Sequence, residues 1–468
     1  MPLQKRRRPI GNTPPSSLSL KPTRLAPAVT QRRLSLVGAV PGSGVDRQAP
    51  PAVVELVLRM SIWLAIFIPG HMYNWLVERL FVGLITILAL GTALLPGSRR
   101  HLGLPVSFLA SIFFSLTAIN ALAYAVHLLR FQAPTGVRDY IEGGRYIIYL
   151  SFVYLIATGF GSRTVKTLRR AVLASLAIGF LAFAARRVRI PVISWVFNDV
   201  LYAGSKTIIF GSYIRLSVPF ENPNYLAFYL LLVLAYFGLV TECRVRYLVL
   251  LGAPVLCFFT GARFGWGAAA IVFFFLLIAS ISDVATGRSF KSASVVILLA
   301  VVGCVFVPRN WDFIAHSDRA ASVGAAVHSG RLLAEPNLAA RLEMAQRGLQ
   351  NFATSPLIGI GSWKYSVIEV LDNQYSTWLL RVGVVGFAMM ALALTWAARL
   401  QYRAAVQCHH GRLGVLAFWL SAMAMLATGS FLDNFRLFFL FWVFLSAIDF
   451  ELNARKGIRG QLRGATSE

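Results

Sequence analysis

The sequence predicts an all-α polytopic membrane protein of about twelve transmembrane helices, with a large and partly helical outer loop. Three observations predict it. Of 468 residues, 57% are apolar and only 14% charged, against about a quarter charged in soluble domains, and the mean hydropathy is +0.65. Apolar runs of about 20 residues, the length that crosses a bilayer as a helix, recur along the chain. Basic residues gather in every second connection between those runs, as the positive-inside rule requires of cytoplasmic loops. The net charge of +26, from 45 Lys and Arg against 19 Asp and Glu, would suggest nucleic acid in a soluble chain. Here the loops account for it, and no nucleic-acid partner is expected.

Taken in order, residues 1–50 are rich in Pro, Ser and Arg without apolar periodicity, and predict a disordered basic cytoplasmic tail. The first apolar stretch begins about fifty residues into the chain, so a retained span is expected rather than a cleaved signal peptide. Residues 51–450 are expected to form a single membrane domain with spans near 52–69, 76–95, 104–128, 145–160, 167–185, 223–241, 246–261, 264–281, 293–307, 374–397, 413–429 and 434–450. Residues 451–468 predict a second basic cytoplasmic tail, with Arg455, Lys456, Arg459 and Arg463. Inner turns carry Arg99 and Arg100, Arg169 and Arg170, Arg244 and Arg246, Arg288 and Lys291, and Arg399 and Arg403. Glu55 and Arg59, one turn apart, predict an intrahelical pair near the inner end of the first span. Cys243, Cys257, Cys304 and Cys408 fall in spans or inner loops, and no disulfide framework is visible.

The outer face carries the chemistry. Its long loops are 129–144, 186–222 and 308–373, and twelve of the 19 carboxylates lie on this side, including Glu142, Glu221, Asp372 and Asp433. So do Arg186, Arg187, Arg189, Arg215, Arg263 and Arg341, against the topology rule. A polyanionic ligand on that face would explain them. Within the 308–373 loop, Leu338, Leu342, Ala345, Leu349 and Phe352 recur at helical spacing between Arg341, Glu343 and Arg347. They predict an amphipathic helix over 337–352 opened by an Asn337 cap, either lying on the bilayer surface or covering a lipid-facing cleft.

No Gly-rich phosphate loop, His-Glu-x-x-His, Cys-x-x-Cys or Gly-x-Ser-x-Gly element occurs, so neither ATP-driven work nor a zinc centre is expected. Three polar places remain at outer span ends, where ionisable groups near hydrocarbon are candidates for function. They are Arg215 with Pro219-Phe220-Glu221-Asn222-Pro223-Asn224; the turn Gly261-Ala262-Arg263-Phe264-Gly265; and Pro356-Leu357-Ile358-Gly359-Ile360-Gly361 followed by Asp372-Asn373, Gly383 and Gly386. Each has a plain structural reading. A lone Arg anchors a span by snorkelling, Asp372-Asn373 caps a helix, and Asn222-Pro223-Asn224 opens one. His316 and His328 read as solvated loop residues.

These residues resemble the O-antigen ligase and O-antigen or exopolysaccharide polymerase superfamily of bacterial inner-membrane glycosyltransferases. The resemblance covers roughly 205–390 by motif: Asn222-Pro223-Asn224 at a span start, an Arg263 turn, the Pro-x-x-Gly-x-Gly run, and Asn373, nine residues, Gly383, two residues, Gly386. The chain departs from the ligase form at Asp372, where ligases place His, at Ala262, where Ser is usual, and at Arg381, where many relatives carry an acid. The resemblance implies a GT-C-like fold in the inner membrane, both termini cytoplasmic and the active face periplasmic. It implies undecaprenyl-diphosphate-linked glycans as donor and acceptor, in contact with the lipid bilayer and other polysaccharide-assembly membrane proteins, without metal or cofactor. Asp372 would be the base, with Glu221 in reserve, and Arg215 and Arg263 would stabilise the diphosphate leaving group. Asn222, Asn224, Arg186, Arg187, Arg341, Asn373 and Arg381 would bind substrate.

The leading expectation is a metal-independent inverting glycosyltransferase that polymerises lipid-linked repeats, which the Asp372 replacement favours. A ligase moving finished glycan to a lipid or protein acceptor is the nearest rival. A secondary transporter or lipid-glycan flippase shares the twelve-span layout, but such proteins bind at the midplane between repeated halves. Here span centres are largely uncharged and the long outer loop has no counterpart in the first half.

Overall fold

The computed structural model describes residues 51–68, 76–94, 104–131, 142–188, 191–195, 209–210, 213–220, 222–241, 245–285, 336–363, 373–406 and 409–465. Among them the regular structure is helical apart from one hairpin of two two-residue strands. The helices are α1 (Ala52–Phe67), α2 (Leu76–Leu94), α3 (Leu104–Phe131), α4 (Arg145–Gly159), α5 (Ser162–Val188) and the short α6 (Pro191–Trp195). After β1 (Ile209–Phe210) and β2 (Tyr213–Ile214) come α7 (Pro223–Ala235), α8 (Val245–Phe259), α9 (Arg263–Ala285), α10 (Pro336–Ala353), α11 (Gln374–Ala405), α12 (His409–Leu426) and α13 (Phe435–Ala465). β1 and β2 are antiparallel, with Ile209 opposite Ile214 and Phe210 opposite Tyr213.

A helix stands at every expected span except 293–307, which lies outside the described residues together with 1–50 and the early part of the 308–373 loop. Five of these helices are long and apolar enough to cross a membrane: Ser107–Arg130, Ser162–Ala185, Pro223–Val240, Phe264–Ser282 and Gln374–Ala405. The chain is a multi-pass membrane protein, and the count of twelve remains the expectation from sequence.

Two helices are enclosed by the others. α7 is apolar all round and buried from Leu226 to Ala235, and α13 is buried without a break from Phe435 to Leu445. A helix with no polar stripe belongs inside a bundle. Around them, Phe114, Ile87, Leu248 and Phe274 stand exposed, which in water would be an aggregation surface and in a bilayer is the lipid face. Lipid is as apolar as leucine, so helix association there depends on close packing and polar contacts rather than on the hydrophobic effect. Ring stacking supplies packing: Tyr149 on Phe438 at 3.6 Å and Phe228 on Phe431 at 4.9 Å.

Several boundaries differ from the sequence reading for identifiable reasons. The amphipathic helix opens at Pro336, one residue before the expected Asn337 cap, because Pro needs no N–H partner in a first turn. α13 runs past 450 to Ala465, since Glu451, Leu452, Ala454, Arg455 and Lys456 favour helix even where they cannot lie in lipid. Arg59 does not pair with Glu55 among the described residues. Its Nε donates to Thr167 Oγ1 of α5 at 2.9 Å instead. α7 loosens into a π turn over Tyr236–Val240.

The largest departure is in α11, which breaks at Gly383 (φ 65°, ψ −169°). The Pro356–Gly361 segment fills the break. Ile360 N donates to Leu380 O at 2.8 Å, Val384 N to Pro356 O at 2.9 Å and Val385 N to Leu357 O at 3.2 Å. The donors and acceptors that a broken helix orphans are thus satisfied by a loop, the condition for irregular backbone at membrane depth. A Cβ on Gly383 would stand 2.2 Å from Leu357 O, and one on Gly359 (φ 73°) 2.5 Å from the Arg381 carbonyl carbon. Gly383→Ala should therefore destabilise the detergent-solubilised protein by several kcal/mol, combining left-handed strain with a clash. Gly83→Ala, where nothing lies within 4 Å, should be neutral or stabilising by up to about 1 kcal/mol. Thermal unfolding of the two variants checks the contrast; equal effects would refute the interlock.

Candidate functional site

The first two sequence places meet. Leaving the hairpin, Leu216 N donates to Phe259 O at 2.9 Å, which draws residues 215–220 against the end of α8. Arg215 Nε then donates to Thr260 O at 2.7 Å, and its Nη2 to Asn224 Oδ1 at 3.0 Å. Asn224 stands in the first turn of α7, where Pro223 fits the opening position and Asn222 caps by accepting from Asn224 N at 2.8 Å. Thr260 opens the turn that leads into α9. Its hydroxyl accepts from Ala262 N at 3.2 Å, Gly261 takes φ 60°, and Arg263 is the first residue of the helix. Arg215 is 5% exposed; it does not snorkel, as a lone span-end arginine would, but ties three segments together.

The third place is the break in α11. Asn373 caps the helix, its Oδ1 accepting from Tyr375 N at 2.9 Å and Ser376 N at 3.2 Å. α10 packs on α11, and Phe352 at its end joins Ile360 and Leu380 in a small apolar cluster. The amphipathic helix is therefore moored to the same helix that its loop mends.

Between these places lies a group of charges. Arg381 is fully buried and grips Asp433 with two parallel bonds, Nη1 to Oδ1 and Nη2 to Oδ2, both 3.1 Å. Its Nη2 also lies 3.2 Å from Glu142 Oε2. Glu142 in turn pairs with Arg145, which reaches the Asp433 carbonyl and the Tyr149 hydroxyl. Two carboxylates thus face two guanidiniums with no net charge. Gln374 completes the frame, donating to Asp433 Oδ1 at 3.0 Å and accepting from Leu432 N at 2.8 Å. Thr377 and Ser430 hydroxyls meet at 3.0 Å. The short Phe431–Asp433 turn links this group to the first site, since Tyr225 and Phe228 of α7 both contact the Phe431 ring. Burial pushes the Glu142 carboxyl up, but Arg145 and Arg381 together hold it below its ordinary value.

Arg215, Asn222, Asn224, Asn373 and Arg381 therefore belong to one end of the bundle, with Arg263 entering at the start of α9. Arg186 and Arg187 lie in the last turn of α5 and Arg341 in the first half of α10. Asp372 and Glu221 lie outside the described residues, each adjoining a capping Asn, at 373 and 222. Sequence reasoning placed Glu142 and Asp433 on the outer face without giving either a role, and passed over Arg145. The i, i+3 spacing of Glu142 and Arg145 was a usable signal, whereas Asp433 lies 52 residues from Arg381. Together they account for the basic residue at 381, whose charge is answered by carboxylates from two other elements. No three His, Cys, Asp or Glu side chains converge on a metal-sized site among the described residues.

Asp433→Asn, which leaves Arg381 without its bidentate partner, should cost about 3–5 kcal/mol of unfolding free energy, the usual penalty for breaking a buried pair. Glu142→Gln should destabilise above the ordinary carboxyl value of 4.5, and the difference from the natural chain should shrink as pH falls through the lowered folded value. A depressed carboxyl contributes stability that exists only where the unfolded carboxyl is ionised. Melting curves between pH 3.5 and 7.5 check this; a gap that widens on acidification would contradict it.

A search of curated proteins gives no match. Residues 247–391, running from α8 through the Gly261–Arg263 turn, α10 and the Pro356–Gly361 segment into α11, match the family model described as O-antigen ligase. This part of the chain is accordingly similar to the O-antigen ligase family, which is consistent with the O-antigen ligase and Wzy-like superfamily.

Proposed function

We propose that the protein is a metal-independent inverting glycosyltransferase of the bacterial inner membrane that joins undecaprenyl-diphosphate-linked oligosaccharide repeats into O-antigen or exopolysaccharide at the periplasmic face. The observation that carries this reading is the fixed arginine at the junction of the first two motifs: Arg215, held by Thr260 O and Asn224 Oδ1 directly beside the turn into Arg263. Glycosyl transfer from a polyprenyl diphosphate builds negative charge on the departing diphosphate. Guanidinium forks aimed at that charge in a site of low dielectric favour the transition state over the ground state.

In this reading Arg215 and Arg263 take the diphosphate, and Asp372 removes the proton from the acceptor hydroxyl, with Glu221 as reserve base. Asn222, Asn224 and Asn373 hold the backbone around both groups, Arg186, Arg187 and Arg341 collect anionic substrate, and Arg381 with Asp433 fixes the helix that follows Asp372. The ligase reading stands second, favoured by the description of the matching family; Asp372 in place of the ligase histidine favours the polymerase.

Membranes from cells producing Arg215→Ala, Arg263→Ala or Asp372→Ala at matched levels should lose long polysaccharide and accumulate single lipid-linked repeats. Turnover should fall by about 10²–10³ for each arginine, the size of effect seen when one charge-stabilising donor is removed. Asn224→Ala, which removes the bond from Arg215 Nη2, should give a smaller loss. Unchanged chain length in all three would sink the assignment. Long chains that remain on undecaprenyl diphosphate would identify the ligase.

A further inference from the structure

Another buried cation stands three residues after Asp433. Arg436, the second residue of α13, is 2% exposed. Its Nε donates to Ala65 O at 2.8 Å and its Nη2 to Ile66 O at 3.1 Å. Both carbonyls lie in the last turn of α1, which ends at Phe67, so no later residue of that helix donates to them. A guanidinium there meets two orphaned acceptors and the negative end of the helix dipole. Capping occupies its donors, and its Cζ stands over the Phe220 ring, 5.1 Å from the centroid, within the range of cation–ring attraction. Phe220 is itself buried and meets the Tyr229 ring of α7 at 5.0 Å. It closes the segment 215–220, whose start is held by the Arg215 bonds to Thr260 O and Asn224 Oδ1 and by Leu216 N on Phe259 O. Phe220 N donates to Ser217 O at 2.6 Å, and the chain then passes through Glu221 to the Asn222 cap. Just before Arg436, Phe431 stacks on Phe228 of α7 and Asp433 holds Arg381 of α11. Residues 431–436 thus reach both the segment of Arg215 and the helix that follows Asp372. They lie outside residues 247–391, which match the family model.

We infer that Arg436 is a positioning residue: through the Phe220 ring it sets the place of the Arg215 segment relative to α11. The inference rests on the roles given to Arg215 and Asp372 under Proposed function and adds what fixes the distance between them. Two donors on adjacent carbonyls leave the guanidinium little freedom, so the ring packed against it has a fixed neighbour. A leaving group held at one place and an acceptor deprotonated at another react only when their separation is held, and a displacement of about 1 Å can cost about 10²-fold in rate.

The test uses the full-length protein in nanodiscs, with lipid-linked repeats extracted from cells that lack it. Arg436→Met should lower kcat by about 10–10²-fold while KM changes by less than about threefold. Phe220→Leu, which leaves both bonds to α1 in place, should lower kcat by less, and the double variant should lose no more than Arg436→Met alone. In a chain carrying Arg215→Ala, Arg436→Met should cost nothing further, because it acts through Arg215. Hydrogen exchange gives a readout independent of turnover: in Arg436→Met the Leu216 and Phe220 amides should exchange at least about tenfold faster, and those of Thr377 and Val384 at their natural rate. Faster exchange throughout the bundle, or confined to the end of α1, would mark a helix cap alone and overturn the inference. Additive losses in the double variant would overturn it too, as would full turnover in Phe220→Leu beside a crippled Arg215→Ala. Should Arg436→Met not fold, Phe220→Leu decides through the same two readouts. The two readings fail separately: fast exchange at 216 and 220 with undiminished turnover in Arg215→Ala would refute the proposed chemistry and leave the placement of the segment standing. Lost turnover in Arg215→Ala with natural exchange in Arg436→Met would refute the placement.

Discussion

A guanidinium buried at membrane depth is the constraint from which this end of the molecule follows. Arg381 lies in the first part of α11, fully enclosed, where an unpaired charge costs several kcal/mol. It can stay there only because Asp433 and Glu142 reach it from two other elements. Glu142 must in turn be answered, and Arg145 does so. The four groups consequently fix α4, α11 and the start of α13 relative to one another. Such a network does not maximise stability, since packed apolar residues of equal volume often do as well. What it does fix is registry: two parallel bonds between Arg381 and Asp433 admit one rotation and one height for α11.

Registry matters because α11 is discontinuous. An intact helix transmits the position of one end to the other, but a helix broken at Gly383 does not, and its upper part must be located by other contacts. Asp433 meets it at Gln374 and Arg381, Ser430 at Thr377, and the Pro356–Gly361 segment at Leu380. The Asn373 cap therefore stands at a defined point, and the residue before it, Asp372, leaves from that point. A carboxylate proposed to act as a base needs such an origin, because proton transfer tolerates little error in distance.

Much of this was legible in the sequence. Apolar runs and alternating basic turns located the helices, because the bilayer leaves few alternatives to a continuous helix. The capping roles of Asn222 and Asn373 followed from residue type alone, and both caps are present. The Gly383 spacing marked α11 as unusual without saying how. That required knowing which loop supplies the missing hydrogen bonds, a long-range fact with no local signal. The same holds for Arg381 and Asp433. Each is anomalous by itself, and only their meeting explains either. Arg59 shows the converse: the i, i+4 spacing with Glu55 was a sound local signal, but Thr167 of a neighbouring helix offered a competing partner.

The mended break also bears on how substrate arrives. Had α10 been a lid, its connection to α11 would have to yield at little cost. Instead three backbone hydrogen bonds join the two, and the contacts of Gly359 and Gly383 leave no room for sliding. Lifting α10 by way of the 356–360 segment would expose the orphaned amides and carbonyls of a broken helix to an apolar medium, where each unpaired group costs several kcal/mol. For the lipid-linked substrate proposed above, approach from the side, along the bilayer, would therefore be cheaper than from above beneath a moving helix. A lateral path would disturb none of these bonds, because the tail of the proposed substrate would remain in lipid-like surroundings throughout and only its head would enter the charged end of the bundle. Under the proposed function α10 would be a fixed wall of the site, and its polar residues Glu343, Gln346 and Arg347 are exposed.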